Sequence, residues 1–175
     1  VDIEFTDKGA RFDPSQRFRY ALWRTWANKG ARYVNFVMLN PSTADAEVLD
    51  PTVTRCVKYS HQWGYDGVHV TNIFALRSTD PRELYAVTDP VGPSNDQFIL
   101  ETADRAALVV VAWGTHGRFR DRGMEIAELL VPFKPKHFGL TRQGQPRHPL
   151  YLRSDADLID FKIGLARELS GVRGP

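Results

Sequence analysis

The chain has 175 residues, 42% of them hydrophobic and 25% charged, the composition of one globular domain able to bury about 70% of its extended surface. Its single cysteine, Cys56, excludes an intrachain disulfide and any cysteine-rich zinc or iron–sulfur site, and neither a signal-peptide pattern nor an apolar run of transmembrane length is present. Lys and Arg outnumber Asp and Glu by only 23 to 21, so the net charge of +2 does not announce nucleic acid, and any such surface must be local.

These features predict a cytoplasmic monomer with no membrane contact, in one domain over 1–175: an N-terminal hairpin at 10–27, a core at 32–161 and a C-terminal tail at 162–175. In the hairpin, Asp13-Pro14-Ser15 is a turn. Phe18, Tyr20 and Leu22 alternate with Arg17, Arg19 and Ala21, which predicts a strand with one wet face. Arg17, Arg19 and Arg24, interleaved with Tyr20, Trp23 and Trp26, form either a stacking and phosphate surface or ordinary hairpin packing.

Val34 to Ser42, VNFVMLNPS, is the central stretch. Its nearly unbroken apolar run predicts a strand buried on both faces, as in the middle of a parallel sheet, and it stops at Asn40-Pro41. Whatever follows lies at a sheet's carboxyl end, where open α/β sheets bind ligands; as punctuation alone, Asn-Pro is a turn. A loop then carries Ser42, Thr43, Asp45 and Glu47 before Asp50-Pro51 caps a helix with Val53, Cys56, Val57 and Trp63 near one face.

Gly67 to Leu76 holds a second strand that again ends in an asparagine, Asn72. Ser78 or Thr79 is expected to cap a short helix through Glu83 and Leu84, and Ser94 with Gln97 to form a capping box for a helix burying Ile99, Ala103 and Ala106. Ala107 to Ala112 is a third buried strand, ended by Trp113-Gly114. A helix presenting Met124, Ala127 and Leu130, or Ile126 and Leu129, follows and is stopped by Pro132 and Pro135. Lys136 to Thr141 is a fourth short strand, and 142–151 a polar loop. The tail from Ile163 is either a last helix or frayed. The fold class expected is α/β, a three-layer sandwich around a central four-stranded parallel sheet with the N-terminal β-hairpin added. Asn40, Asn72 and His148 would open on one rim.

The order MLNPS, GVHVTNIFALR, VVVAWG, PRHPLY resembles that of the uracil-DNA glycosylase superfamily. There a first strand ends in G-x-D-P or G-x-N-P, a second reads GVxxxNxxxxxR, a third ends in a turn such as WG, and a late loop carries His-Pro-Ser. Gly67, Val68, Asn72 and Arg77 fit the second motif at its spacing. The whole chain also resembles an uncharacterised bacterial and phage family that shares the NPSTAD, RC, AWG and PRHPLY stretches, a likeness that names no activity.

The superfamily resemblance implies hydrolysis of the N-glycosidic bond of a damaged or modified base flipped into a pocket at the sheet's carboxyl end, with no cofactor and with DNA as partner. Asn40 then orients water through its carbonyl oxygen, since an amide is no general base at neutral pH. His148 donates to the base oxygen that gains charge. Asn72 reads the base edge, with Phe74, Ser42 and Asp45 around it. Arg77, Arg142 and Arg147 contact DNA, and Tyr151 or Leu152 fills the gap left by the flipped base. Two departures stand out: Leu150 replaces the serine that clamps backbone phosphate, and NPS stands where related mismatch enzymes have NPG. Apart from the resemblance, Asn72 also reads as a turn cap and His148 as a surface loop residue. The other histidines, His61, His69, His116 and His137, show no metal-ligand spacing. Two other functional classes remain open: a non-catalytic nucleobase or nucleotide binder, and a hydrolase of free nucleosides or nucleotides.

Overall fold

The computed structural model describes residues 2–27, 32–42 and 49–171. Among them, β1 (Asp7–Phe12), β2 (Arg19–Thr25), β3 (Tyr33–Met38), β4 (Gly67–Asn72), β5 (Leu108–Val111), β6 (Lys136–His137) and β7 (Ile159–Asp160) form one seven-stranded sheet. Four helices pack with it: α1 (Pro51–Gln62), α2 (Asn95–Arg105), α3 (Arg122–Leu130) and α4 (Ile163–Ser170). The strand order is β1-β2-β4-β3-β5-β6-β7.

β3 is central because its side chains are mostly apolar on both faces, and its one amide, Asn35, bonds inside the sheet to His69 O and Thr71 Oγ1. Alternation sends Val34, Phe36 and Met38 to one side, where they pack with Val53, Cys56 and Val57 of α1. Val37 goes to the other side, with Ile99 and Ala103 of α2 and Ile126 and Leu130 of α3. Helices therefore cover both faces, and the nearly unbroken apolar run has its cause.

The parallel part of the sheet is narrower than the sequence predicts. β3 is registered in parallel with β4 from Tyr33–Gly67 to Met38–Asn72, and with β5 from Val34–Leu108 to Val37–Val111. The expected fourth strand over 136–141 shrinks to Lys136–His137, which meets β5 through the single pair Val110–Lys136. Pro135 precedes it, and Gly139 at φ +119° turns the chain away immediately after. Antiparallel strands flank this core on both sides, β2 against β4 and β7 against β6, so the sheet is mixed.

The hairpin exists, with β1 and β2 antiparallel, yet its expected wet face does not. β2 lies inside the sheet between β1 and β4, which buries Arg19 and Arg24 along with Tyr20 and Leu22. Two local expectations also give way to other bonds. Ser94 makes no side-chain cap, and Gln97 instead donates to Glu101 Oε1 at 2.9 Å, so no capping box forms. Asp80, rather than Ser78 or Thr79, caps the 3-10 turn Pro81–Tyr85 by accepting from Arg82 N. In α3, Met124, Ile126, Ala127 and Leu130 are buried, whereas Leu129 is exposed. The tail forms α4, anchored at the buried Ala166.

Candidate functional site

From β3 the chain crosses to β4 on one side, then returns past β3 to β5 on the other. The direction of winding reverses between β3 and β5, and strand ends on either side of such a reversal splay apart into a crevice. A cavity of about 690 Å3 opens there, outside the carboxyl ends of β3, β4 and β5. Asn40, Ser42, Asn72, Arg147, His148 and the 151–152 pair all line it, so residues more than a hundred positions apart in sequence meet at one cleft.

Asn40 follows β3, and its orientation is fixed by what its amide nitrogen can do. Nδ2 donates to Ser78 O at 2.9 Å and to Pro41 O at 3.1 Å, both acceptors, which leaves Oδ1 as the end available to a ligand or water. The bond to Ser78 also ties the exit of β3 to the stretch after β4. Ser78 N donates back to Pro41 O, which makes the tie reciprocal.

Asn72 ends β4, lines the cleft and is only 2% exposed. Its Nδ2 is buried and has no hydrogen-bond partner. Its backbone is held from behind: Asn95 Nδ2 donates to Asn72 O at 2.8 Å and to Ile73 O at 3.2 Å, and Arg122 Nε donates to Ile73 O at 2.9 Å. Arg122 is in turn paired with Asp96 and with Glu125. The main chain at this position is fully committed, while the side-chain amide is not.

His148 arrives on the late loop, which the Trp113-Gly114 turn positions. Gly114, at φ +74°, a conformation that favours glycine, donates its N–H to Pro146 O at 2.8 Å and lies against His148 Cβ. Trp113 Nε1 donates to Gln145 Oε1 at 2.8 Å inside the protein. Gly117 and Gly123 make room for that pair, since a Cβ at Gly117 would lie 2.1 Å from Trp113 Cδ1. His148 Nδ1 accepts from Leu150 N at 3.3 Å, so a neutral ring carries its proton on Nε2. Burial holds the imidazole below its ordinary pKa, opposed by the charge of Asp50, and the neutral Nε2–H donor is the prevailing form at pH 7.

Several cleft residues were not among those expected. Asp50 caps α1 through Val53 N at 2.7 Å and also accepts from Ser42 Oγ at 2.8 Å. Arg19, 2% exposed, lines the cleft too; burial pushes its guanidinium down to about 10 against the charge of Asp50, with Arg77 and Arg24 pushing the same way as burial. His116 stands on the rim with Nδ1 3.0 Å from the Tyr85 hydroxyl. The signal for Asp50 was present in the sequence, because a helix that follows a central parallel strand must begin at the carboxyl rim. Arg19 gave none, since only the pairing of Leu22 with Val70 shows that β2 begins where β4 ends.

Three of the expected residues, Phe74, Arg77 and Arg142, are placed elsewhere. Phe74 is 0% exposed and packs against Phe119 in the core, away from any base. Arg77 lies over the Phe12 ring and donates to Gln16 O, holding the hairpin turn. Arg142 is exposed and does not line the cleft. Asp45 lies outside the described residues. Among the described residues, no group of three or more His, Cys, Asp or Glu is placed to hold a metal ion, and no helix is long and apolar enough to cross a membrane.

Residues 19–150 match the model of a family described as a protein of unknown function, DUF1643. No curated protein and no solved structure matches the chain.

Proposed function

The chain belongs to the family DUF1643, whose description assigns no activity, and from that premise we propose that its cleft is a nucleobase pocket of the uracil-DNA glycosylase type, which hydrolyses an N-glycosidic bond. The observation that carries this reading is Asn72. A buried amide nitrogen without a partner costs about 1–3 kcal/mol, and a carbonyl oxygen or ring nitrogen on a base edge would supply the missing acceptor. The order of the strands that run in parallel, second-first-third with a short fourth after them, fits the three-layer arrangement that the superfamily likeness implies.

In this reaction the bond from the sugar to the base nitrogen breaks, water adds its oxygen to the sugar, and the base leaves with the bonding electrons. Asn40 Oδ1 orients the water, because its Nδ2 is already engaged. The His148 Nε2–H donates to the base oxygen where negative charge collects, and donors preset for that charge act mainly on the transition state. Asp50 contributes a carboxylate that favours the oxocarbenium-like sugar and can take the proton that an amide cannot. Tyr151, 87% exposed at the cleft mouth, is the side chain able to fill the gap left by a flipped base.

A second reading, a nucleobase or nucleotide binder without turnover, is favoured by the engagement of both Asp50 carboxylate oxygens in local hydrogen bonds. Both readings are tested by incubating the protein with oligonucleotides bearing uracil, hypoxanthine or hypermodified pyrimidines, then treating with alkali. Strand breaks that vanish in Asn40→Ala, with binding retained, are the expected result. Calorimetric binding of free bases without any strand break would select the binder, and cleavage of free nucleosides alone would select a nucleoside hydrolase.

A further inference from the structure

We propose that a second, basic cavity beside the cleft holds the phosphate backbone of the strand whose base enters it, which makes a polynucleotide, rather than a free base or mononucleotide, the ligand class. This rests on the reading of the cleft as a base pocket. The second cavity, about 240 Å3, is lined by Arg55, Lys58, Tyr59, His61 and Ser154 among others, and no acidic residue among the described ones lines it. In a chain of net charge +2 that is a local concentration of cations, on one face of one helix.

Three features give the cavity its assignment. Arg55 Nε is buried with no partner, and Lys58 is exposed with no ion pair among the described residues, so both have donor capacity for an anion. Arg153, by contrast, is neutralised by Asp155 through two bonds of 2.9 Å. Next, the cleft and the cavity are joined through α1, with Thr52 and Val53 on the first and Arg55, Lys58 and Tyr59 on the second. From Thr52 to Lys58 the helix rises about 9 Å, so one strand can reach from the cleft to the cavity within a few nucleotides. Finally, the ridge between them is the late loop itself. Arg55 donates to Leu152 O and the Tyr59 hydroxyl to Arg153 O, which pins a ridge crowned by the exposed Tyr151 ring. A strand crossing it meets a stacking face and then fixed positive charge, the pairing that single-stranded nucleic acid takes. An acidic peptide would use the cations but not the ring or the base pocket. The cavity also supplies the anion grip that the loop lacks where Leu150 stands in place of a phosphate-clamping serine.

The test measures binding of a fluorescein-labelled, mixed-sequence single-stranded DNA and of the deoxynucleoside monophosphates to the full chain, as a function of salt. In Lys58→Ala, a change that keeps α1 helical, DNA affinity is expected to fall about fivefold at about 0.1 M salt, and the log–log salt slope to become shallower by about 0.7, one single-strand phosphate. Monophosphate binding should stay as in the wild type in Lys58→Ala and be lost in Asn72→Ala, while DNA binding should stay as in the wild type in Lys162→Ala, in another groove. Wild-type DNA affinity and slope in Lys58→Ala would overturn the phosphate site while Asn72-dependent monophosphate binding leaves the base pocket standing. Failure of both DNA and monophosphates to bind would overturn the two together.

Discussion

Asn72 and Asn95 are the same residue type, both buried, a few ångströms apart, and they do opposite things. Asn95 uses its amide nitrogen on two main-chain carbonyls and so closes the wall behind the strand end. Asn72, on the cleft side of that wall, keeps its amide nitrogen unpaired. The same division recurs around them. Behind the rim, Trp113 is bonded to Gln145 and Arg122 to Ile73, Asp96 and Glu125; on the rim, Asn40 has a fixed amide with its oxygen left over. A wall whose amide, indole and guanidinium N–H groups are engaged is rigid enough to hold an unpaired donor in front of it, where a ligand can complete it.

The largest effect should come from the wall. Trp113→Ala removes a buried indole and the partner of Gln145, and is expected to cost about 3–5 kcal/mol in urea unfolding. A loss near zero would show that the Trp113–Gln145 pair does not brace the late loop.

A second way to separate body from rim is pH. His69 stands between the rings of Tyr33, at 3.8 Å between centroids, and Trp23, at 6.2 Å; burial pushes its pKa down to about 4 against the charge of Asp7. Its folded pKa lies below the unfolded value of about 6.5, so the stability it contributes is complete above about pH 6.5 and is lost as pH falls toward about 4. Urea midpoints of the wild type should decline across that window, and His69→Phe should flatten the decline. His148 is shifted in the same direction at the rim, so its protonation should also appear in ligand affinity below about pH 6.5. An identical acid limb in His69→Phe would assign the pH dependence to other groups.

The two asparagines themselves give the third contrast. Asn95→Ala strips Asn72 O and Ile73 O of a donor and should destabilise by about 1–3 kcal/mol. Asn72→Ala removes an unpaired group and should leave stability within about 1 kcal/mol of wild type while abolishing nucleobase binding. Equal losses of stability in the two variants would erase the distinction drawn between them.

The smallest effect is a ratio. Asn72→Asp replaces a donor and acceptor with acceptors alone, and should shift preference from uracil-like toward cytosine-like edges by about tenfold, within the 1–3 kcal/mol, roughly, of one hydrogen-bond mismatch. The comparison is made in the same excision or binding assay with both bases. An unchanged ratio would place base reading on another residue.

The sequence by itself determined the elements whose cause is local or periodic. The apolar run of β3, the strand through Val68 and Val70 to Asn72, and the Asp50-Pro51 start of α1 all follow from residue pattern, and with them the rim on which Asn40, Asn72 and His148 meet. Tertiary structure alone decided whatever depends on which strand lies beside which. β2 alternates like a half-exposed strand, yet its place between β1 and β4 buries Arg19 and brings it to the cleft. Phe74 follows Asn72 by two residues, but the chain has left the strand there, so the period that would have turned it toward a base no longer applies and it enters the core. Whether an amide nitrogen finds an acceptor is likewise no property of its own sequence position. Asn72 and Asn95 differ because the partners of one are main-chain groups brought in by the sheet, while the other faces a cleft made by the reversal of strand order.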